Sequence, residues 1–222
     1  VVGGMAKGAG MLAPGLATML STITTDADVD APTLQRVLEV ACSETFDRID
    51  SDGCMSTNDT VLLLASGASE FKPSEQDLQA AVTSVCTQLS RALIADAEGA
   101  SKEIKITVRS AATGADALEV ARAISRSNLL KCAIHGEDPN WGRVISAAGT
   151  TSAEFSADEI AVAINDVWVC RRGSVGEDRN LVNMSGREVF IEVDLAAGAE
   201  EASLWTNDLT AAYVHENSAY SS

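Results

Sequence analysis

The sequence predicts an α/β fold of the α+β kind, a mixed or antiparallel sheet layered with helices. Three observations predict it. Apolar residues recur at i, i+3, i+4 spacing through 34–46 and 78–93; they alternate at 104–108 and 189–195; and neither a repeat nor a Pro/Ser linker divides the 222 residues. A chain of this length can bury a proper core. With 46% hydrophobic but only 4% aromatic residues, Ala, Val, Leu and Ile must build that core.

Residues 1–25 are rich in Gly and Thr and show no period. A helix then starts at Ala31. Asp30 is a natural N-cap, Pro32 sits in the first turn where its missing N–H does no harm, and Leu34, Val37, Leu38, Ala41, Cys42 and Phe46 form one face. The polar stretch Asp50 to Thr60 reads as a loop that bonds its own backbone, with contact to a substrate as the sharper alternative. As a calcium loop it fails: Gly53 at position six would put Arg48 at position one and Asp59 at twelve. Val61 to Ala65 is a buried-strand candidate, and Ser74 with Asp77 resembles a capping box opening a helix striped by Leu78, Ala81, Val82, Val85, Leu89 and Leu93. Ile104, Ile106 and Val108 mark a strand with one polar face; Ala117, Leu118, Ala121 and Ile124 mark a helix. Ile160, Val162 and Ile164 lead through Asn165-Asp166 to Val167-Trp168-Val169, which reads as a hairpin. Residues 173–186 read as a loop, Val189, Ile191, Val193 and Leu195 alternate, and Leu204-Trp205 suggests a last short strand before a Tyr-containing tail.

Lys+Arg 16 against Asp+Glu 32 gives a formal charge of −16. With no basic run, neither nucleic acid nor an anionic membrane surface is the expected partner, because both need clustered Lys and Arg. A well-solvated surface is the plain account of the acidity. The five cysteines, at 42, 54, 86, 132 and 170, are odd in number, widely spaced and without a CxxC pair. They suit neither a disulfide framework nor a zinc site, and read as free, mostly buried thiols in a reducing cytoplasm. No metal or cofactor motif is visible. Residues 8–25 carry a small-x-small pattern, Gly15-Leu16-Ala17 before Thr18, yet Gly8, Gly10, Pro14 and Gly15 break any apolar helix and argue against a secretion signal. A chain opening with Val1 rather than Met reads as a fragment or a processed product.

Two places could carry chemistry. His135, in HGEDPNWGR, would need a nucleophile and an orienting acid in reach, and Pro139 and Gly142 around Asn140-Trp141 read first as an ordered turn with a buried indole. Ala17-Thr18 is the sharper one. A Thr hydroxyl is a weak nucleophile until a base takes its proton, and an N-terminal Thr carries such a base in its own α-amine, with a pKa of roughly 8. A cut at Ala17-Thr18 would therefore create the catalyst it needs.

The segment Gly4 to Leu20 (GMAKGAGMLAPGLATML) resembles the cleavage-and-nucleophile motif of the ornithine acetyltransferases, or glutamate N-acetyltransferases. STNDTVLLLASGASE (56–70), DAEGASKEIKITV (96–108), HGEDPNWGRVISAAG (135–149) and NSAYSS (217–222) resemble that family's other blocks, in order and across essentially the whole chain. The resemblance implies a self-processing N-terminal-nucleophile type of site, with Ala17-Thr18 the bond cut and Thr18 the nucleophile. Residues 1–17 would be the tail of an α chain, and 18–222 a β chain forming one compact unit. Lys7, Glu98, Asn217 and Ser222 match positions that contact substrate. For Glu98 the residue-level reading is a solvated helix-end carboxylate, and only the resemblance lifts it above that. Most of the α chain, with the family's oxyanion-hole Thr-Gly pair, is absent from these residues. The implied reaction carries acetyl from N-acetylornithine to glutamate, giving ornithine and N-acetylglutamate, without a cofactor. Acetyl-CoA as a second donor stays open, and the implied assembly is a cytoplasmic α2β2 heterotetramer. A self-processing aminopeptidase or amidohydrolase is the rival enzyme, and an acidic binding module the rival from another class.

Overall fold

The computed structural model describes residues 1–8, 19–54 and 58–219. Helices and sheets share the chain as the sequence predicts, and each of the two sheets combines one parallel strand pair with antiparallel pairing. The residues cluster into two compact units, Val1–Ile49 with Gly53–Ala97, and Asp50–Asp52 with everything from Glu98 on. This corrects the expectation of one compact unit after residue 17. The boundary at Ala97-Glu98 is a short turn after a helix, Ala97-Glu98-Gly99-Ala100-Ser101, with none of the length that would mark a linker.

In the first unit, β1 (Val2–Lys7) runs antiparallel to β2 (Leu20–Thr25), and β2 runs parallel to β3 (Thr60–Ala65). The link between β2 and β3 is α1 (Ala31–Glu44), as a parallel pair requires. Its start is as the sequence specifies: Asp30 Oδ1 accepts the Thr33 N–H at 2.8 Å. Ser74 caps α2 (Glu75–Ala95), its Oγ accepting the Asp77 N–H at 3.1 Å and donating to the Asp77 carboxylate at 2.6 Å. Ile23, Val37, Ala41, Phe46, Val82 and Cys86 are fully buried between the sheet and the two helices. A side chain at Gly4 would meet Leu89 and Val85 of α2 at 3.1 and 3.2 Å, so β1 lies close on that helix. The strands at 2–7 and 20–25 have no apolar alternation to announce them. Backbone pairing carries them, through side chains as small as Gly, Ala, Ser and Thr.

Strand β3 corrects a second expectation. Only Leu63 of its apolar run is buried; Leu62 and Leu64 are 47% and 52% exposed. Helices cover one face of this sheet, and Met5, Leu20, Leu62 and Leu64 stand out on the other.

The second unit holds a six-stranded sheet, ordered β7-β6-β5-β8-β4-β9. Strand β4 (Glu103–Ala111) lies one in from the edge, parallel to β8 (Glu188–Asp194) and antiparallel to the edge strand β9 (Glu200–Asn207). The hairpin β5 (Ala161–Ile164) to β6 (Val167–Arg171) turns at Asn165 and Asp166, with φ of 46° and 67°, the left-handed pair a two-residue turn needs. Strand β7 is the short Ser174–Val175, inside the segment read as a loop. On one face α3 (Gly114–Ser125) and α5 (Trp141–Ala148) bury Ile104, Ile106, Val108, Ile191 and Val193. The sequence pattern missed α4 (Asn128–His135) and α5, each only eight residues long and parted by Gly136 and Pro139. Trp141 opens α5 half-buried, rather than filling a turn with a buried indole. Strand β9 is longer than Leu204-Trp205 suggested, and the tail is helix α6 (Ala211–Ala219).

Among the thiols, Cys86 and Cys170 are buried and Cys42 half-buried, whereas Cys54 and Cys132 are exposed. Burial pushes the Cys86 thiol up to about 11 and the Cys42 thiol up to about 12, the latter with help from Cys86 and Asp47 beside it. These are packed hydrophobes, held far from the thiolate form.

Candidate functional site

Ala17 and Thr18 lie outside the described residues, and so does Ser222. Their chain neighbours are described. Lys7 ends β1, exposed, and its backbone partner across the ladder is Leu20, two residues after Thr18. Beside it a groove of about 500 Å³ runs between Ala6, Lys7 and Gly8 and the α2 residues Leu89, Ala92 and Leu93, with Asp96 at the helix end.

Met19, the residue after Thr18, is fixed on three sides. Its side chain is 2% exposed, its carbonyl accepts the Thr60 N–H at 2.9 Å, and its N–H donates to Asp59 Oδ1 at 2.6 Å. The other carboxylate oxygen, Asp59 Oδ2, is buried and accepts no hydrogen bond from any described residue. Burial raises the Asp59 carboxyl above its ordinary range, against the opposing pull of the Met19 N–H.

In the second unit a buried carboxylate organises the turn that carries Glu98. Asp208 follows β9 with its side chain fully buried, and its Oδ1 accepts the backbone N–H groups of Ser101 and Lys102 at 2.9 and 2.8 Å. Its Oδ2 takes the Ser101 hydroxyl at 2.5 Å and lies 3.0 Å from His135 Nδ1. Ser, His and Asp thus meet, but not as a catalytic relay. In a relay the acid holds Nδ1 and the hydroxyl faces Nε2, whereas here Ser101 Oγ, 3.3 Å away, shares Nδ1 with the acid. The trio is a clamp.

Lysines complete the network. Lys102 Nζ reaches the Met184 and Gly186 carbonyls at 2.5 and 2.9 Å and Glu137 at 2.9 Å. Lys131, 4% exposed, donates to the Ser51 carbonyl and the Thr206 hydroxyl; desolvation lowers its pKa although Asp50, Asp52 and Asp208 oppose the shift. Ser51 Oγ donates to Asn207 at 2.8 Å, and the Tyr213 hydroxyl to Asp52 at 2.9 Å.

Exposed Glu98 stands one residue from Gly99, whose φ is +69° and where a Cβ would fall 2.3 Å from the Tyr213 nitrogen in the first turn of α6. Thr210 ties the two together, its hydroxyl donating to the Gly99 carbonyl at 2.5 Å and accepting the Tyr213 N–H at 2.9 Å. One turn along α6 is Asn217, exposed, its amide donating to the Tyr213 carbonyl at 2.9 Å. Glu98 and Asn217 are therefore linked through Gly99 and Tyr213, within the second unit, while Lys7 belongs to the first.

Sequence reasoning did not single out Asp59, Ser101, Lys131 or Asp208, and it weighed His135 as structural first. The available signal was the tripeptide Thr-Asn-Asp, which occurs at 57–59 before β3 and again at 206–208 at the end of β9. In both places an acid abuts an apolar strand, where it needs donors to be tolerated.

The chain matches the model of the ArgJ family over residues 1–222. It is 69% identical over 221 residues to the arginine biosynthesis bifunctional protein ArgJ of Streptomyces avermitilis, covering 100% of this chain and 58% of that protein. The ArgJ of Thermobifida fusca is 60% identical, with 99% and 57% covered, and that of Mycobacterium tuberculosis 52% identical, with 100% and 55% covered. The chain thus spans a little over half the length of the curated relatives it matches. A crystal structure of the Bacillus halodurans ArgJ superposes with a TM-score of 0.85 at 36% identity, over 91% of this chain and 100% of that one. With the whole chain matched and the fold shared at that identity, this protein belongs to the ArgJ family, the ornithine acetyltransferases that its motifs resemble.

Proposed function

We propose that this chain carries the nucleophile of an acetyltransferase that moves acetyl from N-acetylornithine to glutamate, as part of arginine biosynthesis. Thr18 Oγ first attacks the Ala17 carbonyl; the Ala17-Thr18 amide bond breaks, and water hydrolyses the ester to leave an Ala17 carboxylate and a free Thr18 α-amine. In turnover Thr18 Oγ attacks the acetyl carbonyl, its proton passing through that α-amine to the departing amine of ornithine. The amine of glutamate then attacks the acetyl-Thr18 ester, and the proton returns to Oγ. Lys7 suits a substrate carboxylate, and Glu98 suits the ammonium of ornithine; Asn217 and Ser222 complete the contacts. Residues 1–17 are then the end of an α chain and 18–222 the β chain, in a cytoplasmic α2β2 assembly. The curated relatives are named bifunctional, and for this chain acetyl-CoA is the second donor to assay.

The observation that carries the reading is the ladder that sets Lys7 opposite Leu20, two residues past Thr18, within a family match over every residue. A full-length precursor tests it. Intact mass should give two species that divide before Thr18, and Thr18→Ala should leave one uncut species that transfers no acetyl. Fast consumption of N-acetylornithine should require glutamate. Equal consumption without glutamate would make the enzyme a hydrolase, and a folded Thr18→Ala variant that still cuts and turns over would remove Thr18 from the mechanism.

A further inference from the structure

Helix α6 stands on little. None of its residues is buried; Tyr213 is half-buried and the others are exposed. A helix of nine residues is marginal by itself, and burial of an apolar face ordinarily holds one in place. That contribution is nearly missing here. Among the described residues, the polar contacts that tie α6 to the rest of its unit lie in its first turn. One is the Thr210 hydroxyl, which accepts the Tyr213 N–H and donates to the Gly99 carbonyl. The other is the Tyr213 phenol, which donates to Asp52 Oδ2 at 2.9 Å.

The acceptor of that phenol is held firmly. Asp52 ends the three-residue piece Asp50–Asp52, and both residues before it are tied down. The Asp50 N–H donates to the Trp205 carbonyl at 2.8 Å, and its Oδ2 accepts Arg126 Nε at 2.7 Å. Ser51 Oγ donates to Asn207 Oδ1 at 2.8 Å, and the Ser51 carbonyl accepts from buried Lys131. A phenol on a fixed carboxylate is a charge-assisted bond with a set direction. Packing alone has no need of the hydroxyl, because phenylalanine would fill the same space.

We propose that Tyr213 is a positioning residue with Asp52 as its anchor: their bond sets the angle at which α6 leaves the Gly99 turn, and with it the place of Asn217 relative to Glu98. This inference rests on the reading of Glu98 and Asn217 as substrate contacts. The Asn217 amide donates to the Tyr213 carbonyl, so the one residue follows the other. Without the phenol bond, Thr210 becomes a lone pivot. The helix then samples orientations in which Glu98 and Asn217 no longer address one substrate, and apparent affinity falls with the competent fraction.

The experiment uses the full-length protein with Tyr213→Phe, Asp52→Asn, Asp52→Ala and the double variant Tyr213→Phe/Asp52→Ala, beside Glu98→Gln and Asn217→Ala. Tyr213→Phe should raise KM for N-acetylornithine about fivefold to tenfold, the weight of one hydrogen bond, with kcat kept within about twofold. Asp52→Asn keeps an oxygen for the phenol and should stay near the normal KM. Asp52→Ala should match Tyr213→Phe, and the double variant should be no worse than either. Amide exchange in 211–219 should quicken in Tyr213→Phe while its Tm holds, because α6 buries nothing. A normal KM in Tyr213→Phe, with KM raised in Glu98→Gln and Asn217→Ala, overturns the proposal. So do additive effects in the double variant, or a loss of kcat in Tyr213→Phe that follows a fallen Tm. A normal KM in both Glu98→Gln and Asn217→Ala would instead remove the substrate-contact reading, and the Tyr213 assignment with it.

Discussion

At Asp208 one side chain does the work of four interactions. Its two oxygens serve two backbone N–H groups, a hydroxyl and an imidazole, and all of these lie just after Glu98 in the chain or pack against that turn. Removing the carboxylate leaves buried donors unmet, each costing about 1–3 kcal/mol. Asp208→Ala should therefore lower the urea midpoint strongly. Ser101→Ala removes one hydroxyl from the set and leaves both backbone anchors, so its midpoint should move little and the proposed acetyl transfer, assayed in the full-length protein, should persist near the normal rate. A catalytic Ser101 would give the opposite ranking, with activity lost and stability kept. None of this was legible from sequence spacing, because 73 residues separate His135 from Asp208 and 107 separate Ser101 from Asp208.

Between elements, the contact of Gly99 with α6 leaves no room for a side chain. Alanine there faces both a left-handed backbone, which costs roughly 1–3 kcal/mol for a residue with a Cβ, and the Tyr213 backbone 2.3 Å away. Gly99→Ala should push α6 off the turn, and faster amide exchange in 211–219 should report it. If the proposed roles of Glu98 and Asn217 hold, KM for N-acetylornithine rises in the same variant. The helices α1, α2 and α3 were readable because each shows a stripe long enough to set a period, Leu34 to Ala41, Leu78 to Leu93 and Ala117 to Ile124, the first two after the caps Asp30 and Ser74. Strands β4 and β8 alternate, and the hairpin turn at Asn165-Asp166 declares itself. Helices α4 and α5 span about two turns each, too short for periodicity to separate from chance. Strands β1 and β2 are written in residues with little side chain to pattern. The run Leu62-Leu63-Leu64 signalled a strand correctly but said nothing about whether both faces would be covered.

At the scale of the whole chain, that exposed face bears on solution behaviour. Met5 is 74% exposed, and Leu20, Leu62 and Leu64 are each about half exposed on the same side of one small sheet, in a chain that otherwise carries a charge of −16. A contiguous apolar patch of that kind is sticky. Leu62→Ser with Leu64→Ser should reduce binding of a hydrophobic dye and self-association, and leave Tm nearly unchanged because neither side chain belongs to the core. The second consequence comes from the three residues Asp50 to Asp52. The chain leaves the first unit at Ile49, spends three residues in the second, and goes back for more than forty before returning at Glu98. Those three residues accept from Lys131, Arg126 and Tyr213. A ribosome releases them long before any of these partners exists, so the second unit must wait to be stitched by a piece of chain already made. A fragment cut out at residue 98 would deprive buried Lys131 of the Ser51 carbonyl and leave it the Thr206 hydroxyl. Supplying the first half as a separate peptide should restore it, so the two halves make a natural pair for fragment complementation, and gene shuffling at this boundary has no clean seam to use.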